Sequence, residues 1–187
     1  MKRGRARLKL QSALLESKDV QSVRVFDRAD TVNGFVVALS DEWFLMRVVG
    51  YRLEPDGWSA LRLRDLMALE RQDTTGDASI NMRVFEARGE WPPRSPASHP
   101  MTDLASIIGI AMQIGSLVAV HREAGRPDTY WVGRAIAVDA EHLSIIELDH
   151  QGFWRDRKVF EVDDVTRVDF GGEYLRNLAL VAGEPPS

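Results

Sequence analysis

The chain has 187 residues, and its 24 Lys and Arg against 28 Asp and Glu give a formal net charge of −4. This negative total disfavours general nucleic-acid binding, which needs a basic surface. The absence of cysteine excludes disulfides, thiolate metal sites and cysteine nucleophiles. The length allows one domain or two small ones.

The first residues, MKRGRARLKL, are basic but are not followed by the apolar core of a secretory signal. The longest apolar run, IIGIAM, is far shorter than a membrane span of roughly 20 residues. We therefore expect a cytoplasmic protein that does not associate with a membrane, and the lack of cysteine fits that compartment.

The first half of the chain predicts a helix, five short strands and a second helix. Helical periodicity marks the opening segment, and short runs rich in Val, Ile and Phe mark the strands. In chain order the segments are ARLKLQSALLESK, SVRVF, a strand from Gly34, WFLMRVVGY, SALRLRDL, a short last strand and SINMRVFEA. The second helix stops at GEWPP, because proline cannot continue a helix.

The second half predicts the same order of elements. Its first helix, TDLASIIGIAMQIG, has Thr102 or Asp103 as its N-cap. The following segments are SLVAVHRE, a strand from Gly133, HLSIIELDH, KVFEVDDV, a short last strand and EYLRNLALVA, which stops at GEPP. When Gly34 is set on Gly133 without gaps, the apolar positions of the two halves coincide, as do Asp65 and Asp164. We interpret the chain as a tandem repeat of residues 1–93 and 94–187, joined by a Pro- and Ser-rich linker.

Five short strands with a glycine in the second are typical of a small barrel. The sequence therefore predicts a mainly β, α+β protein with two five-stranded barrels, each with an N-terminal and a C-terminal helix. The motif resembles the Sm-like family of SH3-like barrels. The residues that carry the resemblance in the second half are Gly133, Asp139, Val159, Phe160, Asp163 and Val165.

The Sm-like resemblance implies RNA binding. Family members that read RNA carry an Arg-Gly pair in the later strand, whereas this chain has Glu161-Val162 and Arg62-Leu63 there. A glutamate at a phosphate-contacting position repels the ligand, so both Glu161 and the net charge disfavour RNA.

Few residues indicate chemistry. His121 and Glu123 are either a polar pair in a ligand site or a solvent-facing pair on a strand. Asp65 and Asp164 indicate structural turns before the last strand of each half. The histidines, His99 included, show no metal-ligand spacing, so we predict neither a metal nor a cofactor.

Aromatic residues are the better binding candidates. Trp58, Tyr130, Trp131 and Trp154 fall in or beside predicted hairpin loops, where they either anchor a partner or close a barrel end. We predict a non-catalytic module that binds another protein, with an immunity, antitoxin or adaptor protein as its specific form. The alternatives are an RNA-associated protein that uses Arg62, Arg64 and the basic amino terminus, or a ligand binder or enzyme with His121 and Glu123 between the barrels.

Overall fold

The computed structural model describes residues 3–26, 31–72, 79–96, 100–126 and 129–185, and His99 lies outside them. The described residues form four α-helices and ten strands, so the fold is α+β and mainly β, as predicted. The helices are α1 (Arg3–Leu15), α2 (Ile80–Ala87), α3 (Leu104–Ile114) and α4 (Glu173–Ala182). The strands are β1 (Asp19–Arg24), β2 (Val32–Leu39), β3 (Trp43–Val49), β4 (Pro55–Arg62), β5 (Leu66–Arg71), β6 (Val118–His121), β7 (Tyr130–Val138), β8 (His142–Leu148), β9 (Trp154–Glu161) and β10 (Arg167–Phe170). A first 3-10 helix (Leu63–Asp65) precedes β5 and a second (Val162–Asp164) precedes β10.

All ten strands belong to one antiparallel sheet in the order β5-β1-β2-β3-β4-β10-β6-β7-β8-β9. The order of the first five strands therefore recurs in the last five. The two series join where β4 pairs with β10, with Trp58 opposite Phe170 and Ala60 opposite Val168. The sheet is thus continuous across both halves of the chain.

The prediction of two closed Sm-like or SH3-like barrels is wrong. Within the described residues, the outer strands β5 and β9 each pair with one neighbour, β1 and β8, so the sheet is open. A closed barrel would leave no such edges. Local sequence patterns predict strands, but strand partners depend on residues far apart in the chain. Here β4 takes the last strand of the other half as its partner. The division after residue 93 stays a prediction.

Helix ends follow the residues that the sequence indicates. Asp103 is the N-cap of α3, where its carboxylate accepts a hydrogen bond from the Ser106 backbone N–H at 2.8 Å. The Ser106 hydroxyl oxygen accepts one from the Asp103 N–H at 3.0 Å, which completes a capping box. α2 and α4 both end shortly before the proline-containing segments. The four predicted helices are therefore present.

Two main apolar clusters hold the sheet and helices together. α1 contributes Ala6, Leu10 and Ala13 to a cluster formed within the first half. α3 lies in a larger cluster that contains strand residues of both halves. Its members from the first half include Val37, Trp43, Leu45 and Ala60, and those from the second include Leu143, Ile145, Phe160, Val165 and Val168. The larger core is therefore shared between the halves.

Candidate functional site

The eight predicted binding residues lie at separate places along the sheet. They comprise Trp58 and Arg62 in β4, Arg64 in the first 3-10 helix, His121 in β6, Glu123 just after β6, Tyr130 and Trp131 in β7, and Trp154 in β9. Most of these side chains make contacts within the chain, and those contacts decide which of them are available to a partner.

Trp58 packs at the junction of the two halves. Its ring is stacked on Phe170 with 6.0 Å between centroids. The Arg47 guanidinium lies 4.3 Å from the centroid of the Trp58 ring on β4, a cation–π contact. Trp58 therefore packs at the β4–β10 junction of the open sheet, and the alternative in which it closes a barrel end is wrong because the sheet is open.

Trp131 and Trp154 are also half-buried. The Trp131 ring lies 5.4 Å from Phe160, and the Lys158 ammonium is 5.2 Å from its centroid. The Trp154 indole N–H donates to the carbonyl of Ala182 at 3.1 Å, which ties β9 to the end of α4. Both rings pack on core residues, and Trp154 also lines a cavity with Leu117 and Arg134.

Tyr130 is half-exposed and stacks on His121, with 5.2 Å between ring centroids. Burial, followed by the neighbouring Tyr174, raises the pKa of Tyr130. The phenol is therefore neutral at physiological pH and acts as a polar contact rather than a base.

His121, Asp169 and Ser59 include the residue types of a hydrolytic triad, but in the wrong order. The Ser59 hydroxyl donates to Asp169 at 2.6 Å, and the other Asp169 oxygen lies 2.9 Å from His121 Nε2. A serine nucleophile must donate to the histidine instead. Burial alone would raise the pKa of Asp169, but Arg167 and His121 hold it well below its usual range. The carboxylate is thus an ionised structural acceptor.

Glu123 forms a buried ion pair with Arg24, which comes from the other half of the chain. Arg24 Nε lies 2.9 Å from both Glu123 oxygens and Nη2 lies 2.6 Å from one, and both side chains are 1% exposed. The Glu123 backbone N–H donates to the Thr166 hydroxyl at 3.1 Å. The alternative of a solvent-facing His121–Glu123 pair is therefore wrong, since both residues are buried and bind different partners.

Arg62 is also buried, with its side chain 5% exposed. Its Nε and Nη2 donate to the carbonyls of Val165 (3.1 Å) and Val162 (2.7 Å). Its guanidinium lies 4.4 Å from the Trp43 centroid, and Nη1 lies 3.1 Å from a Glu42 oxygen. Burial and the nearby Arg64 lower the pKa of Arg62. Arg62 joins the halves and is not available to a phosphate.

Arg64 is half-exposed but donates to the backbone carbonyl of Asp163. Asp65 is buried beside it at the end of the first 3-10 helix, and burial raises the pKa of its carboxyl. The predicted turn role fits the positions of Asp65 and Asp164, since each is the last residue of a 3-10 helix.

Six exposed acidic residues form a surface that the sequence analysis did not predict as a site, and we name this surface the acidic rim. It is formed by Asp41, Glu42, Asp139, Glu141, Glu161 and Asp163, all of which are exposed. The side chains of Asp41 and Asp163 are 87% and 89% exposed. The Asp139 carboxylate accepts from the backbone N–H groups of Glu141 and His142, which lower its pKa and keep it charged.

Backbone hydrogen bonds bring the rim residues to one end of the sheet. Leu63 N–H donates to the Glu42 carbonyl at 2.7 Å, and Val162 N–H donates to the Glu141 carbonyl at 2.8 Å. The β2–β3 turn thus contacts the first 3-10 helix, and the β7–β8 turn contacts the second. The matching turn sequences SDE and DAE indicate an exposed acid in each half of the chain. The acids of the two halves come together at Arg62, which lies 3.1 Å from Glu42 and 3.9 Å from Asp163.

Among the described ranges, no group of three or more His, Asp or Glu side chains is placed to hold a metal ion. No helix in the described part of the chain combines the length and apolar character needed to cross a membrane. Comparisons with protein-family models, with curated proteins and with solved structures gave no match.

Proposed function

We propose that this chain is a non-catalytic protein-interaction module of the immunity, antitoxin or adaptor type, and that it binds a basic protein through the acidic rim. The observation that carries this proposal is a division of charge. The side chains suited to chemistry are buried and paired, as Ser59 and His121 are with Asp169. The six carboxylates of the rim are exposed and outnumber the arginines beside them, which are Arg7, Arg62 and Arg64.

Charge complementarity supports a basic partner because opposite potentials guide association and exclude partners of like charge. A basic surface would meet at least four exposed carboxylates at one end of the sheet, such as those of Asp41, Asp139, Glu161 and Asp163. The same rim repels phosphate, which disfavours the RNA alternative. Because the chain lacks cysteine, we propose the cytoplasm as the compartment.

The test is a pull-down of the full tagged chain from lysate, with and without nuclease, read out for protein and nucleic acid. The rim variant combines Glu141→Gln with Asp163→Asn. The matched control combines Glu70→Gln with Glu86→Gln, two exposed acids elsewhere that remove the same net charge.

We expect one protein to be captured in stoichiometric amount, with and without nuclease. At low salt it should bind the rim variant about tenfold more weakly than the wild type and bind the control variant equally well. Equal loss in both variants would refute a specific role for the rim. Co-purified RNA that nuclease removes, without a protein partner, would contradict the proposal in favour of the RNA alternative.

A further inference from the structure

One sheet face is buried in the first half of the chain and partly exposed in the second. The covered face consists of Val37, Trp43, Leu45 and Ala60, all buried in the cluster that contains α3. With Gly34 set on Gly133, the corresponding residues of the second half are Ile136, His142, Ser144 and Val159, which we name the open face.

Strand register supports this correspondence. Leu45 lies opposite Ala60 between β3 and β4, and Ser144 lies opposite Val159 between β8 and β9. β2 and β7 both carry a register shift at the matching position, so Val37 and Ile136 occupy equivalent places beside it. The two faces therefore have the same backbone shape.

Their exposure differs sharply. Val37 is 8% exposed and Ala60 fully buried, whereas Ile136 is 46% and Val159 50% exposed. Ser144 is buried, and its hydroxyl accepts from Arg157 Nη2 at 2.8 Å. The open face thus has two exposed branched apolar side chains, Ile136 and Val159, and the Arg157 guanidinium contacts the buried serine on the strand between them.

Negative charge borders the open face on one side. His142 lies 3.3 Å from a Glu161 oxygen and 3.8 Å from an Asp139 oxygen, and both acids belong to the acidic rim. An occupant must therefore combine apolar residues with positive charge at this border.

The covered face indicates the shape of the occupant. The cluster that buries the covered face contains α3, whose buried residues recur every three or four positions, as in Leu104, Ile107, Ile108 and Ala111. Addition of a strand at β9 is disfavoured because its exposed residues Arg155, Asp156 and Arg157 are charged.

We propose that the open face binds an amphipathic helix of the partner protein, with Ile136 and Val159 under its apolar stripe and its basic residues against Asp139 and Glu161. This inference rests on the proposed function, since it names the chemistry of the partner. In this mode of recognition an amphipathic helix binds an apolar surface through its side chains spaced three and four residues apart.

The probe is a peptide of residues 102–115 carrying Gly109→Lys and Gln113→Lys, two positions exposed in α3. The matched control peptide carries glutamate at both positions. Each peptide is titrated into the ¹⁵N-labelled full chain, and backbone amide shifts are followed by NMR. The protein variants are Val159→Glu and Leu180→Glu, the latter at an exposed apolar residue of α4 remote from the open face in sequence.

We expect shifts in residues 136–146 and 157–161 with the lysine peptide, at least about tenfold weaker binding to Val159→Glu, and unchanged binding to Leu180→Glu. Shifts confined to β2–β4, equal binding of the glutamate peptide, or equal loss in both protein variants would overturn the inference. Concentration-dependent shifts of the open face without peptide would also overturn it, because the occupant would then be a second copy.

Failure of this test is distinguishable from failure of the proposed function. A partner captured by the wild type and lost by the rim variant, but bound equally well by Val159→Glu, would leave the proposed function intact and refute the open face.

Discussion

Removing one member of the Arg24–Glu123 pair should destabilise the protein strongly. Glu123→Gln leaves the Arg24 guanidinium buried opposite a neutral amide, with both positions only 1% exposed to solvent. Breaking a buried pair in this way costs about 3–5 kcal/mol of unfolding free energy. For a chain of this size, that loss corresponds to a fall in Tm of about 6–20 °C.

The matched control is an ion pair of similar length at the surface. Arg7 and Asp41 lie 2.7 Å apart, but their side chains are 40% and 87% exposed. Asp41→Asn should change the unfolding free energy by less than about 1 kcal/mol, because solvent screens such pairs. Replacing both buried partners, with Arg24→Met and Glu123→Leu, should recover most of the loss, since neither charge of the pair is then buried without the other.

Urea unfolding followed by far-UV circular dichroism measures all four proteins on one scale. The reasoning is refuted if Glu123→Gln costs no more than Asp41→Asn. It is also refuted if the double replacement is less stable than the single one, since the pair would then contribute more than the cost of an unpaired charge.

Two further predictions concern Asp65 and Gly57. Burial raises the pKa of Asp65, so its contribution to stability is complete below the unfolded value of 3.8 and is lost as pH rises through the folded pKa. Asp65→Asn should therefore gain stability relative to the wild type over that interval in urea titrations at closely spaced pH values, and parallel pH curves would contradict this. Gly57→Ala places a Cβ 2.5 Å from the Phe170 carbonyl oxygen, whereas at Gly89, with nearly the same φ (71° against 70°), a Cβ meets no atom within 4 Å. Thermal melts should show Gly57→Ala less stable than Gly89→Ala by at least about 1 kcal/mol, and equal Tm values would exclude the clash.

The elements could be predicted because their signals are local. The capping pair Asp103 and Ser106 lies within four residues, and the stripe from Leu104 to Ala111 repeats at helical spacing. The prolines after α2 and α4 stop those helices by steric exclusion and the lack of an N–H group. Neither signal requires knowledge of a distant residue.

The pairing of strands could not be predicted because it depends on residues far apart in the chain. Ser59 and Asp169, which bond across the β4–β10 junction, are 110 positions apart, and Arg24 and Glu123 are 99 apart. Closed barrels and an open sheet need the same alternation of apolar and polar residues within each strand. The local pattern is therefore compatible with both.

The site was predicted only in part, for a related reason. A tryptophan near a loop can either bind a partner or pack over the core. Trp154 packs within the protein, where its indole N–H donates to the Ala182 carbonyl. The sequence offers Arg62 as a candidate for binding phosphate. In the folded chain its guanidinium instead donates to the carbonyls of Val162 and Val165. Pairing of this kind depends on the tertiary fold, which the sequence pattern does not contain.

The acidic rim and the open face are physically continuous, and this restricts what one partner can do. His142 belongs to the open face, and its ring nitrogens lie within 3.8 Å of Asp139 and Glu161 of the rim. A basic helix placed over Val159 would therefore bring its charges to the rim without any rearrangement of the sheet. The open face lies on paired strands, and backbone hydrogen bonds hold the turns of the rim against the two 3-10 helices. The partner would therefore meet a largely preformed site and lose little affinity to ordering it.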